Sequence, residues 1–191
     1  ETFQANLLGG LFVLEAARKL LQSTGKNPAV LLVSSGEVYG QVDSEQMPMT
    51  EGLRLSPNSP YAASKAGIDL IAQQYAAFFG VDVTIVRPFN HAGPRQSPSF
   101  VVSEFAKQFA AIALHKQDPL LHVGNVLVQR DFTDVRDVVR AYWQLFERNS
   151  DDIVFNVCSG KPVVVGTLLT MLQEITGLSV NIVSEPQRIR S

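Results

Sequence analysis

The chain has 191 residues, of which 46% are hydrophobic and 18% charged, a balance that predicts a globular protein with a sizeable core. Its 16 Lys and Arg residues against 18 Asp and Glu residues give a formal net charge of −2, which excludes the basic surface typical of nucleic-acid binding. No apolar run is long enough to span a bilayer, and a single cysteine, Cys158, fits the reducing cytosol. We therefore expect a cytoplasmic protein that binds neither nucleic acid nor membrane.

Helices and short apolar strands alternate along the first half of the chain. Apolar residues at helical spacing, Val- and Leu-rich runs, and clusters of Pro, Ser and Gly mark the successive elements. In chain order they predict helix 2–22, strand 29–35, loop 41–60, helix 59–80, strand 81–90 and loop 91–98.

The second half continues this alternation. It predicts helix 99–116, strand 120–124, helix 133–148, strand 153–159, helix 163–177 and strand 179–185. Thr133 is a plausible N-cap of its helix, with Asp134 and Asp137 in the first turn. Such alternation favours an α/β fold, a doubly wound, Rossmann-like parallel sheet that binds ligands beyond the carboxyl ends of its strands.

A strand that ends in serines, a tyrosine and a lysine form a pattern that suits proton transfer. Ser34 and Ser35 end a buried strand, and Tyr61 and Lys65 lie one helical turn apart on one helix face. A nearby ammonium favours the phenolate, so we expect Lys65 to lower the pKa of Tyr61. A tyrosine of this kind can exchange a proton with a carbonyl oxygen that a serine hydroxyl holds in place. The alternative is a surface Tyr and Lys on an ordinary helix.

Several motifs together resemble one family. They are "NLLGGLFVLEAAR", "VSSGEVYG", "SPYAASK", "RPFNHAGP", "RDFTDVRDVVRAYW" and "NVCSGKP", and they cover nearly the whole chain. The sequence is similar to the extended short-chain dehydrogenases/reductases, in particular to the branch that acts on nucleotide sugars. Each motif is loose by itself, and the specificity lies in their combination.

The resemblance implies roles for individual residues. Ser35, Tyr61 and Lys65 match the catalytic Ser/Thr, the catalytic acid/base and the lysine that also binds the nicotinamide ribose. Contacts to an NADP cofactor, with NAD as the alternative, are implied for Asn6, Tyr61, Lys65, Phe89 and His91. Contacts to a GDP-sugar substrate are implied for Asn90, Arg130 and Arg188, since a guanidinium suits phosphate oxygens. The alternative for Arg130 is a solvated surface arginine, and no metal site is expected.

Glu37 bears on which reaction the resemblance implies. The residues of these motifs are most similar to those of enzymes that reduce the 4-keto group of a GDP-4-dehydro-6-deoxy-mannose-type sugar with NADPH. However, Glu37 stands where GDP-mannose 4,6-dehydratases carry the catalytic Glu that removes a proton beside the transient ketone. The alternative role for Glu37 is structural, in which its side chain only positions the loop that follows the strand. Dehydration, epimerisation and a non-catalytic binding homologue therefore stay open as alternatives.

The resemblance also bears on how the chain is organised. We expect residues 1–95 to belong to the dinucleotide-binding domain and residues 96–191 to be mainly substrate-binding, with 133–148 and 153–159 packing back on the core. No G-x-x-G-x-x-G turn occurs in the sequence. We therefore expect that the N-terminal Gly-rich strand–turn–helix unit and the C-terminal tail are missing. The family implies a homodimer through helices 2–22 and 61–79.

Overall fold

The computed structural model describes residues 1–147 and 150–185. They divide into two compact units. The first comprises residues 1–90 and 135–158, and the second comprises 91–134 and the chain from residue 159 onward. No helix in these described ranges is long and apolar enough to cross a membrane.

The helices and strands follow one another in the alternation that the sequence predicts. A π-helical stretch, Gln4–Leu8, leads into the first α-helix, and short 3₁₀ turns lie at Gly36–Tyr39 and Ser44–Gln46. The α-helices are α1 Gly9–Thr24, α2 Pro60–Phe79, α3 Val101–Ala113, α4 Val135–Phe146 and α5 Val165–Thr176. The strands are β1 Val30–Val33, β2 Val83–Pro88, β3 Asn90–Ala92, β4 Leu120–Val123, β5 Gln129–Asp134, β6 Val154–Val157, β7 Pro162–Val164 and β8 Asn181–Ser184.

The first unit is a three-stranded parallel sheet in the order β1-β2-β6. Side chains alternate between the two faces of a strand, so neighbouring residues enter different cores. Leu32 and Ile85 pack in the core that α1 and α2 supply, whereas Val86 packs with Val138 of α4. Because helices cover both faces, the predicted α/β fold with a doubly wound parallel sheet is confirmed.

Helix α2 has clear start and stop signals. The Ser59 hydroxyl accepts the N–H of Ala62 at 3.1 Å, Pro60 occupies the first turn, and Gly80 ends the helix at φ 69°. Its close approach to α1 requires a glycine, since a Cβ on Gly10 would lie 2.6 Å from an Ile68 side-chain carbon. The cap and this close packing fix the first turn of α2 relative to the sheet.

The second unit has its own core and its own sheets. Strands β3, β5 and β7 form one sheet, with β5 and β7 antiparallel, and β4 pairs in parallel with β8. The core contains buried side chains of α3, β4 and α5: Phe105, Phe109, Leu121, Val123 and Leu169.

Two expectations about the secondary structure are wrong. Strands β3, β5 and β7 were not expected, because each is defined by pairing with a partner that is distant in the sequence. Thr133 is not a helix N-cap, and Asp134 does not lie in a first helical turn. Both belong to β5, which pairs with β3 and β7, and α4 begins only at Val135.

Candidate active site

A short 3₁₀ turn follows β1 and carries two of the predicted residues. Ser35 is the N-cap of this turn, and its hydroxyl accepts the N–H of Glu37 at 3.2 Å. Ser35 is buried, whereas the Glu37 side chain is exposed. Gly40 ends the turn at φ 67°, where a Cβ would lie 1.9 Å from the Ser56 carbonyl oxygen. The turn therefore presents a hydroxyl and a carboxylate at the carboxyl end of the parallel sheet.

Tyr61 and Lys65 on α2 face this turn. The Tyr61 hydroxyl is close enough to the Ser35 side chain for that interaction to lower the pKa of Tyr61, and the Tyr61 residue is 42% exposed, so it is accessible to a ligand. Lys65 Nζ lies 5.9 Å from the centre of the Tyr61 ring and donates to the Val33 carbonyl oxygen at 2.9 Å. The structure thus brings together the Ser, Tyr and Lys that the sequence analysis selected.

The expected direction of the Tyr61 pKa is wrong in this structure. Burial raises the pKa of Tyr61 above its ordinary value, and the nearby Glu37 carboxylate raises it further, whereas the hydrogen bond with Ser35 lowers it. The Lys65 ammonium lies 5.9 Å from the ring centre, too far to reverse the effect of burial. Burial also lowers the pKa of Lys65.

Asn6 is linked to the candidate site through a serine that the sequence analysis overlooked. Asn6 Nδ2 donates to Ser64 Oγ at 3.0 Å, and Ser64 Oγ donates to the Tyr61 carbonyl oxygen at 2.7 Å. Asn6 lies in the π-helical stretch before α1, a rare conformation that is frequent at functional sites. The contact ties this stretch to the first turn of α2.

Phe89 and Asn90 follow the end of β2. The Phe89 ring packs against the 3₁₀ turn so closely that a Cβ on Gly36 would lie 3.1 Å from a ring carbon. Asn90 is exposed at the start of β3. Phe89 therefore lies beside Ser35, while the Asn90 amide is open to solvent.

The remaining predicted residues lie outside the first unit. His91 is partly buried in β3, where its carbonyl oxygen accepts Gln96 Nε2 at 2.9 Å. Arg130 is exposed in β5 and donates to the Gln129 carbonyl oxygen at 2.8 Å. Arg188 lies outside the described residues. Within the described part of the chain, no group of three or more His, Cys, Asp and Glu residues is arranged to hold a metal ion.

The sequence analysis also missed a buried polar cluster near the 3₁₀ turn. Arg87 and Asp69 form an ion pair, and Arg87 Nη1 also donates to the Tyr39 hydroxyl at 2.9 Å. Two signals in the sequence point to it. Arg87 interrupts the apolar strand "VTIVRP", and Asp69 follows Lys65 by four residues along α2.

Comparison with known proteins decides the family. The model of the family described as GDP-mannose 4,6 dehydratase matches residues 1–189. The chain belongs to this family. Family members have different activities, so membership does not by itself define the reaction.

Individual relatives of this GDP-mannose 4,6 dehydratase family member include reductases and dehydratases. The chain is 40% identical to the GDP-6-deoxy-D-mannose reductase of Pseudomonas aeruginosa over 99% of its own length and 61% of that protein. It is 32% identical to the GDP-mannose 4,6-dehydratase of Sinorhizobium fredii, over 96% of this chain and 51% of that one. The chain thus spans between half and two thirds of the length of these curated relatives.

Solved structures agree with the fold. The structure of RMD from Pseudomonas aeruginosa complexed with NADPH has a TM-score of 0.89 and 40% identity, covering 98% of this chain and 63% of that one. A putative epimerase from Burkholderia cenocepacia has a TM-score of 0.84 and 32% identity, covering 99% of this chain and 58% of the other. The resemblance to the extended short-chain dehydrogenase/reductase fold is thereby confirmed.

Proposed function

We propose that the protein is an NADPH-dependent reductase that acts on the 4-keto group of a GDP-4-dehydro-6-deoxy-mannose-type nucleotide sugar. The observation that carries this proposal is that the Ser35 and Tyr61 side chains lie beside each other, with Lys65 Nζ 5.9 Å from the centre of the same ring. A hydroxyl pair beside an ammonium suits proton delivery to a ketone oxygen. The 40% identity to a GDP-6-deoxy-D-mannose reductase over nearly the whole chain supports the choice of substrate.

The donor set around Lys65 fits a nicotinamide nucleotide. An ammonium carries three donors, and the Val33 carbonyl oxygen takes one of them, so Lys65 has the capacity to bind the ribose hydroxyls. Phe89 offers an apolar ring beside Ser35, and Asn6 adds a polar side chain. His91 is a further proposed cofactor contact on the strength of the family motif alone. NADPH, with NADH as the alternative, supplies a hydride when bound. The NADPH that accompanies RMD of Pseudomonas aeruginosa favours NADP here.

Three side chains of the chain carry out the proton transfer to the ketone oxygen. Tyr61 donates its hydroxyl proton to the ketone oxygen, and Ser35 donates a hydrogen bond that holds this oxygen in place. Lys65 stabilises the resulting phenolate by its charge. The raised pKa of Tyr61 suits this direction of reaction, because a general acid has to carry its proton when the substrate arrives.

Glu37 supports a second candidate function. Its carboxylate is close enough to raise the pKa of Tyr61, so a base is available beside the same site. A GDP-mannose 4,6-dehydratase uses such a base to remove a carbon-bound proton next to a transient ketone. The lower identity to the curated dehydratase, 32% against 40%, favours the reductase.

The test is a pair of incubations of the whole protein with different substrates. A reductase converts GDP-4-dehydro-6-deoxy-mannose to a GDP-6-deoxyhexose while NADPH absorbance falls. A dehydratase converts GDP-mannose to its 4-keto-6-deoxy derivative with no net consumption of NADPH. Product analysis by mass spectrometry and NMR separates the two, and absence of both conversions would contradict catalysis on GDP-mannose derivatives.

Substrate binding is part of the same proposal. Residues 96–191 are mainly substrate-binding, with Asn90, Arg130 and Arg188 as contacts to the sugar nucleotide and its diphosphate. The exposed guanidinium of Arg130 suits phosphate oxygens. Residues 1–95 are proposed to bind the cofactor.

The protein is further proposed to act as a homodimer in the cytosol. Helices α1 and α2 expose large apolar side chains: Phe12 at 68%, Val13 at 56%, Leu70 at 56% and Phe78 at 79%. Apolar surface of this kind on two adjacent helices is typical of an interface between subunits. The sequence has a single cysteine, Cys158, so no disulfide forms within the chain, which fits a reducing compartment.

A further inference from the structure

A buried ion pair lies between elements of the candidate active site and takes no part in the proposed proton transfer. Arg87 is 2% exposed and Asp69 0% exposed. Arg87 Nε donates to Asp69 Oδ2 at 2.8 Å, and Nη2 donates to Asp69 Oδ1 at 2.9 Å. A buried ion pair adds little net stability, since removing both charges from water offsets their attraction. Its role has to be sought in what the pair holds in place.

The remaining guanidinium nitrogen of Arg87 extends the pair into a network. Nη1 donates to the Tyr39 hydroxyl and to the Glu51 carbonyl oxygen, both at 2.9 Å. The Tyr39 hydroxyl in turn donates to Asn156 Oδ1 at 2.7 Å, and Tyr39 is only 1% exposed. Because the guanidinium is a rigid planar fork, these bonds fix the Tyr39 ring relative to the Asp69 carboxylate.

The members of the network belong to the three elements that carry the candidate site. Asp69 follows Tyr61 by eight residues and Lys65 by four, on the same stripe of α2. Arg87 lies on β2, two residues before Phe89. Tyr39 is the last residue of the 3₁₀ turn that begins after Ser35. One ion pair thus joins the helix, the strand and the turn.

Apolar packing and two further hydrogen bonds also hold the turn, with Val38 and Tyr39 buried against Ala66 of α2. At its start, the Ser35 hydroxyl accepts the N–H of Glu37, and in its middle the Val38 carbonyl oxygen accepts the N–H of Ser56 at 2.9 Å. A single 3₁₀ turn has poor internal hydrogen-bond geometry, so its position depends on such outside contacts. The Tyr39 hydroxyl adds a directional polar link from the turn, through Arg87, to Asp69 on α2, the helix that carries Tyr61.

We propose that Arg87, Asp69 and Tyr39 are positioning residues that hold Ser35 and Glu37 in register with Tyr61. This inference rests on the proposed function for its catalytic readout. The three residues touch neither the substrate nor the cofactor in the proposed reaction and act through the placement of the turn. A displacement on the order of 1 Å lowers catalysis by up to about 100-fold, so their loss is expected to lower kcat more than stability.

Two variants of the whole protein test the role. Tyr39→Phe keeps the ring and removes the hydroxyl that joins the turn to Arg87. The double variant Arg87→Met with Asp69→Leu replaces the ion pair by apolar side chains of similar volume, a change that folds usually tolerate. Each is expected to lower kcat about 10-fold or more, with the KM for NADPH within a factor of two. Tyr75→Phe is the matched control, since its hydroxyl bonds Glu15 on α1 at 3.1 Å.

The pH profile separates positioning from a merely structural role. The hydrogen bond with Ser35 lowers the pKa of Tyr61, so a displaced turn raises that pKa and moves the basic limb of kcat/KM to higher pH. The titratable groups around Tyr61 are Glu37 on the turn, Lys65 on α2 and Tyr142 on α4. A displaced turn also carries the Glu37 carboxylate away from Tyr61, which lowers the pKa, but the interaction with Ser35 has the larger effect, so the net shift is upward. A structural defect would lower the amount of active protein without moving the limb.

The outcomes distinguish this inference from the proposed function. A wild-type protein that does not reduce the keto sugar contradicts the proposed function, and the inference is then tested by NMR titration of ¹³C-labelled tyrosine, assigned with Tyr61→Phe. An upward shift of the Tyr61 titration in Tyr39→Phe, absent in Tyr75→Phe, supports positioning. The inference is overturned if Tyr39→Phe leaves the NMR titration of Tyr61 unchanged, or leaves the basic limb of kcat/KM unchanged in the kinetic assay. This holds whether or not kcat falls.

Discussion

Lys65 Nζ lies 5.9 Å from the centre of the Tyr61 ring, and it donates to the Val33 carbonyl oxygen. The ammonium is therefore anchored to the end of β1 rather than to the phenol. From there it is placed to act on a ligand and on the phenolate that forms after proton donation, while burial keeps the resting phenol protonated. The following predictions come from this arrangement and from the surfaces around it.

Removal of the Tyr61 hydroxyl is expected to abolish most turnover. Tyr61→Phe in the whole protein should lower kcat by about 10²–10⁴-fold, the usual share of general acid–base catalysis, because the ketone oxygen loses its proton donor. NADPH affinity should change little, since the ring stays. Steady-state kinetics and a fluorescence titration measure the two effects. Turnover within a few-fold of wild type would remove Tyr61 from the mechanism.

Replacement of Glu37 by Gln separates the two chemistries. In a reductase, Glu37→Gln should leave ketone reduction largely intact, because no carbon-bound proton has to be removed. In a dehydratase, the same change should abolish conversion of GDP-mannose. Conversion of GDP-mannose by the wild-type protein, lost in Glu37→Gln, would decide against the reductase.

The same variant is expected to shift the pH profile of reduction. The Glu37 carboxylate raises the pKa of Tyr61, so its neutralisation lowers that pKa. Tyr61 has to be protonated to act as an acid, and activity is lost as pH rises through its pKa. The basic limb of kcat/KM should therefore move to lower pH in Glu37→Gln, opposite to the shift expected for Tyr39→Phe. An unchanged limb would show that the carboxylate does not act on Tyr61.

The end of the 3₁₀ turn should not tolerate a side chain. Gly40→Ala combines a φ of 67° with a Cβ 1.9 Å from the Ser56 carbonyl oxygen, so the backbone has to move. We expect destabilisation of about 2 kcal/mol or more by chemical denaturation. Gly52→Ala is the control, because nothing lies within 4 Å of its Cβ and its φ is not positive. Equal effects of the two changes would contradict this account of the turn.

The apolar surface of α1 and α2 should control oligomeric state. Phe78→Glu places a charge on a side chain that is 79% exposed, and it is expected to convert the proposed dimer to a monomer. Ile175→Glu on α5 changes a residue that is 77% exposed in the other unit and should have no such effect. Light scattering coupled to size-exclusion chromatography measures the mass. A Phe78→Glu protein that is still a dimer would show that the subunit interface lies on another surface.

Local signals in the amino-acid sequence were enough to predict the alternation of helices and strands and to select the residues of the candidate site. Helical periodicity, the Ser59 cap and Gly80 are local signals, so α2 was predicted within one residue at each end. The spacing of Tyr61 and Lys65 and the serine-ended strand are local as well. Local signals identified these residues because adjacent parallel strands bring their carboxyl ends to the same edge of a sheet.

The pairing of the strands and the pKa of Tyr61 depend on the tertiary fold and could not be predicted from local signals. Strand β5 pairs with β3 and β7, which are distant in the sequence, and Thr133 belongs to this strand and not to a helix cap. The raised pKa of Tyr61 follows from burial, which helical spacing does not report. The contact between Arg87 and Asp69 joins a strand to a helix 18 residues earlier, and it required the sheet and helix to be packed together.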